Sequence, residues 1–160
     1  MIAKELLNPK SIVVCGASSD IHNPGGKASK NLLESPFSGP VYAVNPKETE
    51  VQGVKCYAKV EDLPQVDCAI LCIAAKFCAQ TVDVLAKEKG CKGFIIVSAG
   101  FSEENAEGAA IEKHIVDTIN SVGGSLIGPN CTGFLNVNYA GCFDTPIPPL
   151  DPKGVDFITG

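Results

Sequence analysis

The sequence predicts an α/β fold, namely a Rossmann-like, doubly wound and mainly parallel sheet with helices on both faces. Five short, largely apolar runs are typical of strands that are covered on both faces. These runs are residues 11–15, 41–44, 68–73, 93–97 and 125–127. Segments with helical spacing of apolar residues alternate with the runs, and this alternation favours parallel strands joined by right-handed crossovers.

Length and composition indicate one domain, covering residues 1–160. With 45% hydrophobic residues the chain can build a sizeable core. The net charge is −5, and no basic stripe or aromatic platform accompanies the lysines, which argues against nucleic acid as a partner. No apolar run has the length of a membrane span, and residues 1–7 are too short and too charged for a signal peptide. We therefore expect a cytoplasmic protein with no membrane partner.

The eight cysteines contain no C-x-x-C pair, so their spacing indicates neither a metal site nor a disulfide framework. Cys15, Cys68 and Cys72 lie in apolar runs, where a free thiol behaves as a small hydrophobic group and persists in a reducing compartment. Only Cys131, in a loop rich in small and polar residues, has a setting that suggests a ligand.

The segment after the first strand predicts an anion site. Gly16 allows a tight turn, and the small residues at 17–19 leave room for a ligand to approach. Residues 23–26 (NPGG) break the chain before a helical pattern over 27–33. Because the first turn of a helix presents free N–H groups and partial positive charge, phosphate is the expected ligand. The dinucleotide fingerprint G-x-G-x-x-G is only half met, so glycines that serve the turn geometry alone are the alternative.

The exit of the second strand carries Asn45, Pro46 and Lys47. An NAD site would place Asp or Glu here to hold the ribose hydroxyls. A lysine instead suits a ribose with an extra phosphate, as in coenzyme A (3′-phosphate) or NADP (2′-phosphate). A lysine on a solvated loop is the alternative.

The other segments complete the order of elements. We expect a short amphipathic piece at 3–7, an extended piece at 54–57, a turn at 60–64 and a helix over 77–89. A further helix is predicted to begin after Ser102 as N-cap, with Glu103 and Glu104 in its first turn, and to end at Ser121. Residues 136–145 have no assigned structure, the proline-rich 146–149 cannot form a regular helix, and 155–158 suggest another strand. Because carboxyl ends of parallel strands share one edge, the exits at Gly16, Asn45, Ala74, Ser98 and Gly128 should converge on one crevice.

Four motifs at these exits carry a family resemblance. They are GAS at 16–18 with a following GG at 25–26, VNPK at 44–47, SAGFSE at 98–103 and, above all, GPNCTGFLN at 128–136. Together they resemble the N-terminal CoA-binding domain of the NDP-forming acyl-CoA synthetases, a family that includes acetate–CoA ligase and the succinyl-CoA synthetase α subunit. The match runs from residue 7 to residue 160. Family members often have proline after the third strand, where this chain has Ala74.

The resemblance implies a site for coenzyme A or acyl-CoA. The loop at 16–19 and the glycine pair would hold the phosphates, Lys47 would lie near the phosphorylated ribose, the 74–75 exit would line the nucleotide, and residues 130–131 would lie towards the thiol. The complete set of candidate binding residues is Gly16, Ala17, Ser18, Ser19, Gly25, Gly26, Lys27, Asn45, Pro46, Lys47, Ile73, Ala74, Ala75, Ser98, Ala99, Gly100, Asn130 and Cys131.

The resemblance also implies a reaction that this chain does not complete. The family interconverts acid, CoA and NTP with acyl-CoA, NDP and phosphate through a phosphohistidine, which the resemblance places in a domain after residue 160. His22, in the loop, and His114, on a helix flank, do not fit that role, and Cys131 would neighbour the CoA thiol rather than attack as a nucleophile. We therefore expect no catalytic residue here, a first module of a longer ligase, and partners that include the downstream ligase and nucleotide-grasp domains or subunit, with a homo-oligomer allowed.

Two alternatives remain open at this point. One is the nucleotide-binding domain of an NADP-dependent oxidoreductase, and the other is a freestanding CoA-binding regulatory protein without chemistry. The combination of Lys47 with the GPNC motif at 128–131 favours CoA over NADP.

Overall fold

The computed structural model describes residues 2–144, 146–148, 150–151 and 153–154. The main sheet has seven strands: β1 (Ile12–Cys15), β2 (Val41–Val44), β3 (Glu50–Val51), β4 (Val54–Tyr57), β5 (Cys68–Leu71), β6 (Gly93–Ile96) and β7 (Ser125–Ile127). The helices are α1 (Lys4–Leu7), α2 (Pro24–Glu34), α3 (Ala75–Lys87) and α4 (Ala106–Ser121), with a 3₁₀ turn at Val60–Asp62. A separate hairpin consists of β8 (Gly133–Leu135) and β9 (Ala140–Cys142).

The strand order is β3-β4-β2-β1-β5-β6-β7, and every neighbouring pair except β3 with β4 is parallel. This confirms the predicted fold class. In register, Val14 of β1 lies between Ala43 of β2 and Ile70 of β5. From β1 the chain first moves outward to β2 and later returns to β5 on the other side. The carboxyl end of β1 is therefore the switch point at which sheets of this kind bind ligands.

The sheet is covered on both faces, which explains why its strands are apolar throughout. Alternate side chains of β1 point to opposite faces: Val13 joins the core cluster beneath α3 and α4, whereas Ile12 and Val14 join the cluster beneath α2 and the hairpin. Phe94 and Ile95 divide in the same way on β6, and all five side chains are at most 1% exposed. All eight cysteines are free, and six of them are buried.

Helix α2 begins three residues earlier than the sequence pattern predicts. The side chain of Asn23 caps the helix by accepting a hydrogen bond from the Gly26 N–H at 2.8 Å, and Pro24 occupies the first helical position. The expectation that 23–26 break the chain before a helix over 27–33 was therefore wrong. The glycine pair belongs to the first turn, where a Cβ on Gly25 would lie 1.9 Å from the carbonyl oxygen of Gly16.

The starts of the other two long helices also differ from expectation. Helix α4 begins after Asn105, whose side chain accepts from the Gly108 N–H at 2.9 Å, so Ser102 is not the N-cap and Glu103 precedes the helix. Helix α3 begins at Ala75 rather than at residue 77. The predicted end of α4 at Ser121 is confirmed. Among the described residues, no helix has both the length and the apolar character that crossing a bilayer requires.

The hairpin was not predicted, and it covers the α2 face of the sheet. The Tyr139 hydroxyl donates to the carbonyl oxygen of Leu6 at 2.6 Å, and the Asn136 side chain donates to that of Leu7 at 2.8 Å. From α2, the Asn31 amide donates to the carbonyl oxygen of Cys142 at 2.8 Å. The hairpin thus joins α1 to α2 across the sheet. The strand expected at 155–158 lies outside the described residues.

Candidate functional site

The exits of β1, β2, β5, β6 and β7 meet at the carboxyl edge of the sheet. Gly16 has φ +82°, and a Cβ there would lie 2.4 Å from the carbonyl oxygen of Cys72, so the exits of β1 and β5 touch backbone to backbone. Ser98 donates through Oγ to the carbonyl oxygen of Ile73, which joins the exits of β5 and β6. The structure therefore brings together the segments that the sequence places in one crevice.

We call residues 16–19 the glycine–serine loop. Amide side chains from the segment that follows β2 bind its carbonyl groups. Asn45 donates to the carbonyl oxygen of Ala17 at 2.8 Å, and Gln52 donates to that of Ser18 at 2.9 Å and to that of Gly26 at 3.0 Å. These bonds occupy the carbonyl groups of Ala17 and Ser18 and leave the N–H groups of the same two residues available.

Three backbone donors remain open around this loop. Within the part of the chain that the structure describes, the N–H groups of Ala17, Ser18 and Gly25 donate no hydrogen bond. The Gly26 N–H, by contrast, is occupied by the Asn23 side chain. Unpaired N–H groups at a strand–loop–helix connection are the groups that bind phosphate oxygens.

The fourth residue of the loop, Ser19, is bound to Glu48. The carboxylate of Glu48 accepts from the Ser19 N–H at 3.2 Å and from the Ser19 Oγ at 2.6 Å. The sequence reasoning did not identify Glu48. The signal was present as an acidic residue directly after Lys47, at the strand exit where carboxylates are functional in dinucleotide sites.

Lys47 lies exposed in the turn after β2. Its backbone N–H donates to Oδ1 of Asn45 at 2.9 Å, so Asn45 holds both this turn and the glycine–serine loop. Within the described residues the Lys47 ammonium forms no salt bridge. Pro46 is exposed and Lys27, in α2, is half-buried. The turn therefore presents a positive charge beside the loop.

The exits of β5 and β6 form the next part of the crevice. Ala74 is exposed and directly precedes α3, and a Cβ on Gly100 would lie 3.3 Å from the Cβ of Ala75. The Glu103 carboxylate accepts from the Gly100 N–H at 2.7 Å and from the Phe101 N–H at 3.1 Å. The Gly100 hydrogen bond, with smaller help from other backbone N–H groups, lowers the pKa of Glu103. Glu103 therefore orders the 98–101 loop instead of starting α4.

The exit of β7 lies next to the exit of β6 at this edge of the sheet. Asn130 has φ +54°, and its N–H donates to the carbonyl oxygen of Ser98 at 2.9 Å. The Cys131 thiol donates to the carbonyl oxygen of Ile96 at 3.3 Å. Burial raises the pKa of Cys131, which keeps the thiol protonated and makes it a poor nucleophile.

The two histidines lie apart from each other. His22 is exposed in the β1–α2 loop, where its backbone N–H donates to Asp20. His114 lies on α4, with Nε2 2.9 Å from a carboxylate oxygen of Asp83 on α3. Among the described residues, no group of three or more His, Cys, Asp or Glu side chains could hold a metal ion.

A groove of about 1020 Å³ lies away from these exits. It is formed by the second half of α2, the hairpin, and the described residues of the 146–150 segment. None of the candidate binding residues lines this groove. Its walls come from segments about 100 residues apart in the chain, so no local sequence pattern indicates it.

Comparison with known proteins gives a match over most of the chain. The sequence profile of a family described as "CoA binding domain" matches residues 10–136. The alpha subunit of acetate–CoA ligase (ADP-forming) II from Pyrococcus furiosus is 45% identical over 132 residues, which are 82% of this chain and 28% of that protein. Acetate–CoA ligase (ADP-forming) II from Archaeoglobus fulgidus is 38% identical over 152 residues, which are 94% of this chain and 22% of that protein. The chain thus spans less than a third of either relative.

Solved structures agree with these matches. A protein from Pyrococcus horikoshii has a TM-score of 0.80 at 42% identity, covering 89% of this chain and 33% of that one. The acetyl-coenzyme A synthetase 1 of Ca. Korarchaeum cryptofilum, in complex with phosphate and ADP, has a TM-score of 0.78 at 34% identity. The match covers 88% of this chain and 30% of that one. A conserved hypothetical protein from Pyrococcus furiosus has a TM-score of 0.55 at 27% identity, covering 73% of this chain and 90% of that one.

Proposed function

The chain belongs to the CoA-binding domain family, and on this premise we propose that it binds coenzyme A in the crevice at the carboxyl edge of its sheet. The observation that carries the proposal is the set of open backbone donors at Ala17, Ser18 and Gly25, with the Lys47 charge beside them. A ligand with a diphosphate and a further ribose phosphate matches such a set of groups.

Each part of the ligand has a proposed position. The diphosphate accepts hydrogen bonds from the open N–H groups of the glycine–serine loop and of Gly25. The 3′-phosphate of the ribose binds the Lys47 ammonium. The nucleotide packs at the β5 exit, on Ile73 and the small residues that start α3. The pantetheine arm passes residues 98–100 and ends near residues 130–131. The protonated Cys131 thiol supports a role as neighbour of the CoA thiol.

We propose that the natural protein is an acid–CoA ligase of the NDP-forming type, with this chain as its CoA-binding module. The relatives named above are ADP-forming ligases or their alpha subunits, and the chain corresponds to 28% and 22% of two of them. The phosphohistidine and the nucleotide-grasp segment then belong to other domains or to a partner subunit. Coenzyme A is on this reading a substrate of the whole enzyme, and the acid is converted to its thioester.

A freestanding CoA-binding protein is a second candidate. It is supported by the P. furiosus protein, 90% of which is covered by the alignment, so the fold exists in a chain of similar extent. An NADP-dependent oxidoreductase has no comparable support from the family match. The ligase module and the freestanding protein both predict that this chain binds CoA. The full natural reading frame distinguishes between these two candidates.

Calorimetric titration of the chain with CoA tests the proposal. We expect one CoA per chain, weaker binding of NADP, and no formation of acyl-CoA from acid, CoA and ATP or GTP by this chain alone. Tighter binding of NADP than of CoA would overturn the proposal in favour of the oxidoreductase. Ligase turnover by the isolated chain would refute the assignment of chemistry to other domains.

We propose a cytoplasmic location, which the free thiols support. All eight cysteines are free and none is held in a disulfide. Chains with many unpaired thiols are stable in reducing compartments, where disulfides do not persist.

A further inference from the structure

The glycine–serine loop already holds an anion, and that anion is Glu48. Its carboxylate binds both donors of Ser19, the N–H at 3.2 Å and the hydroxyl at 2.6 Å. Ser19 is exposed, whereas Glu48 is partly buried. A carboxylate on a loop N–H is the same type of charge-assisted contact that a phosphate oxygen would make there.

The position of Glu48 in the chain fixes where its charge lies. It directly follows Lys47, in a turn that Asn45 ties to the glycine–serine loop through Ala17. The carboxylate therefore lies between the loop and the Lys47 turn, which are the two places expected to bind phosphate. Like charges a few ångströms apart repel, and more strongly near a protein surface than in bulk water.

Resting on the proposed function, we propose that Glu48 is an internal competitor for the phosphate groups of CoA. In the free domain it satisfies the Ser19 donors and keeps the loop in shape. When CoA binds, the carboxylate either leaves Ser19 to a phosphate oxygen or remains and repels it. In both cases Glu48 lowers the affinity for phosphate, and it is a specificity-determining residue that acts against the attraction of Lys47.

A simple bracing role makes a different prediction, and two substitutions separate them. Glu48→Gln keeps an acceptor oxygen for Ser19 but removes the charge. Glu48→Ala removes both. If Glu48 only braces the loop, the Glu48→Gln variant binds CoA as tightly as the native chain does, and the Glu48→Ala variant binds it more weakly. If Glu48 competes with phosphate, both variants bind CoA more tightly.

The experiment measures the Kd for CoA by calorimetry at about 20 mM and about 300 mM salt, since repulsion between exposed charges is screened at the higher concentration. The control variant is Glu50→Gln, which removes an equal charge from an exposed residue that faces Lys55 across the β3–β4 pair. We expect Glu48→Gln to tighten CoA binding about fivefold to tenfold at low salt and less at high salt, and Glu50→Gln to stay within about twofold of the native chain.

Inorganic diphosphate, followed by the NMR shift of the Ser19 amide, gives the same comparison without CoA. Equal or weaker binding of CoA and of diphosphate by Glu48→Gln would overturn the competitor role. If no variant binds CoA but Glu48→Gln binds diphosphate more tightly, the proposed function fails while the competitor role stands.

Discussion

A Cβ atom on Gly25 would lie 1.9 Å from the carbonyl oxygen of Gly16, so the first turn of helix α2 and the turn directly after strand β1 meet backbone against backbone. Neither backbone can move without disturbing the sheet or the helix cap. We expect Gly25→Ala to lower the free energy of unfolding by about 3 kcal/mol, the upper part of the range for overpacking. Urea denaturation measures the loss.

Gly53→Ala is the comparison for this prediction. Gly53 has φ +85°, and a Cβ there would meet nothing within 4 Å, so its substitution adds backbone strain without a clash. We expect a loss of about 1 kcal/mol. A Gly25→Ala loss no larger than that of Gly53→Ala would contradict the tight contact.

Lys47 is predicted to bind the 3′-phosphate of CoA. Replacing it with Ala should weaken CoA binding by about 1–3 kcal/mol, the scale of a lost charge-assisted hydrogen bond, and hardly change the affinity for 3′-dephospho-CoA. Calorimetry with CoA and 3′-dephospho-CoA on the native chain and on Lys47→Ala gives the four affinities of a double-mutant-type cycle. Lys10→Ala is the control, because this exposed lysine precedes β1 and lies at the opposite edge of the sheet. Equal losses for the two ligands would show that Lys47 does not recognise the phosphate.

Asp83 should make stability depend on acid pH. Its Oδ1 accepts from Lys87 Nζ at 2.6 Å and from Thr118 Oγ1 at 2.9 Å, and its Oδ2 lies 2.9 Å from His114 Nε2. Desolvation favours a higher pKa, but the hydrogen bonds from Lys87, His114 and Thr118 outweigh it and lower the pKa of Asp83 from 3.8 to about 2. The ionised carboxylate thus stabilises the folded state fully above about pH 4, and this stabilisation is lost as the pH falls to about 2.

Asp83→Asn tests this. We expect the free energy of unfolding of the variant at pH 6 to be about 1 kcal/mol lower than that of the native chain. This difference should shrink between about pH 4 and about pH 2. Asp117→Asn serves as control, because its 2.6 Å ion pair with Lys113 on α4 is highly exposed. Denaturant titrations across the pH range give the differences, and a constant difference for Asp83→Asn would refute the pKa assignment.

The eight thiols should be reduced but slow to react. Desolvation raises the pKa of all eight, to about 12 for Cys68, Cys72 and Cys78, so little thiolate forms at neutral pH. Titration with a disulfide reagent should find eight thiols in denaturant and only slow reaction in the native chain. Fewer than eight in denaturant would indicate a disulfide or a bound metal.

The strands were predictable because burial on both faces leaves a local signal, an unbroken apolar run such as residues 68–71. The helix starts were harder. Asn23 and Asn105 each cap a helix by accepting from the N–H of a glycine three residues later in the sequence. Asparagine followed by glycine is also typical of turns, so this pattern does not identify a helix start by itself. The convergence of the strand exits followed from topology alone. The acidic residue after Lys47 was visible in the sequence, but its partner, Ser19, lies 29 positions away, so only the folded chain shows what Glu48 binds.

The hairpin was missed for a related reason. Its strands have only three residues each, and those of β8 are only partly buried, so nothing local distinguishes them from a loop. They are held by distant carbonyl groups of α1 and by Asn31 of α2. A strand that depends on such partners has no pattern of its own in the sequence.

The hydrogen bond from Tyr139 to Leu6 joins positions 133 residues apart and has a consequence for biosynthesis. Helix α1 has only four residues and is too short to persist alone in water. On the ribosome this hydrogen bond cannot form until Tyr139 has emerged from the exit tunnel, by which time β1 to β7 have all been synthesised. Helix α1 thus precedes the seven strands of the sheet in the chain, but completes its native contacts only after all of them have been synthesised.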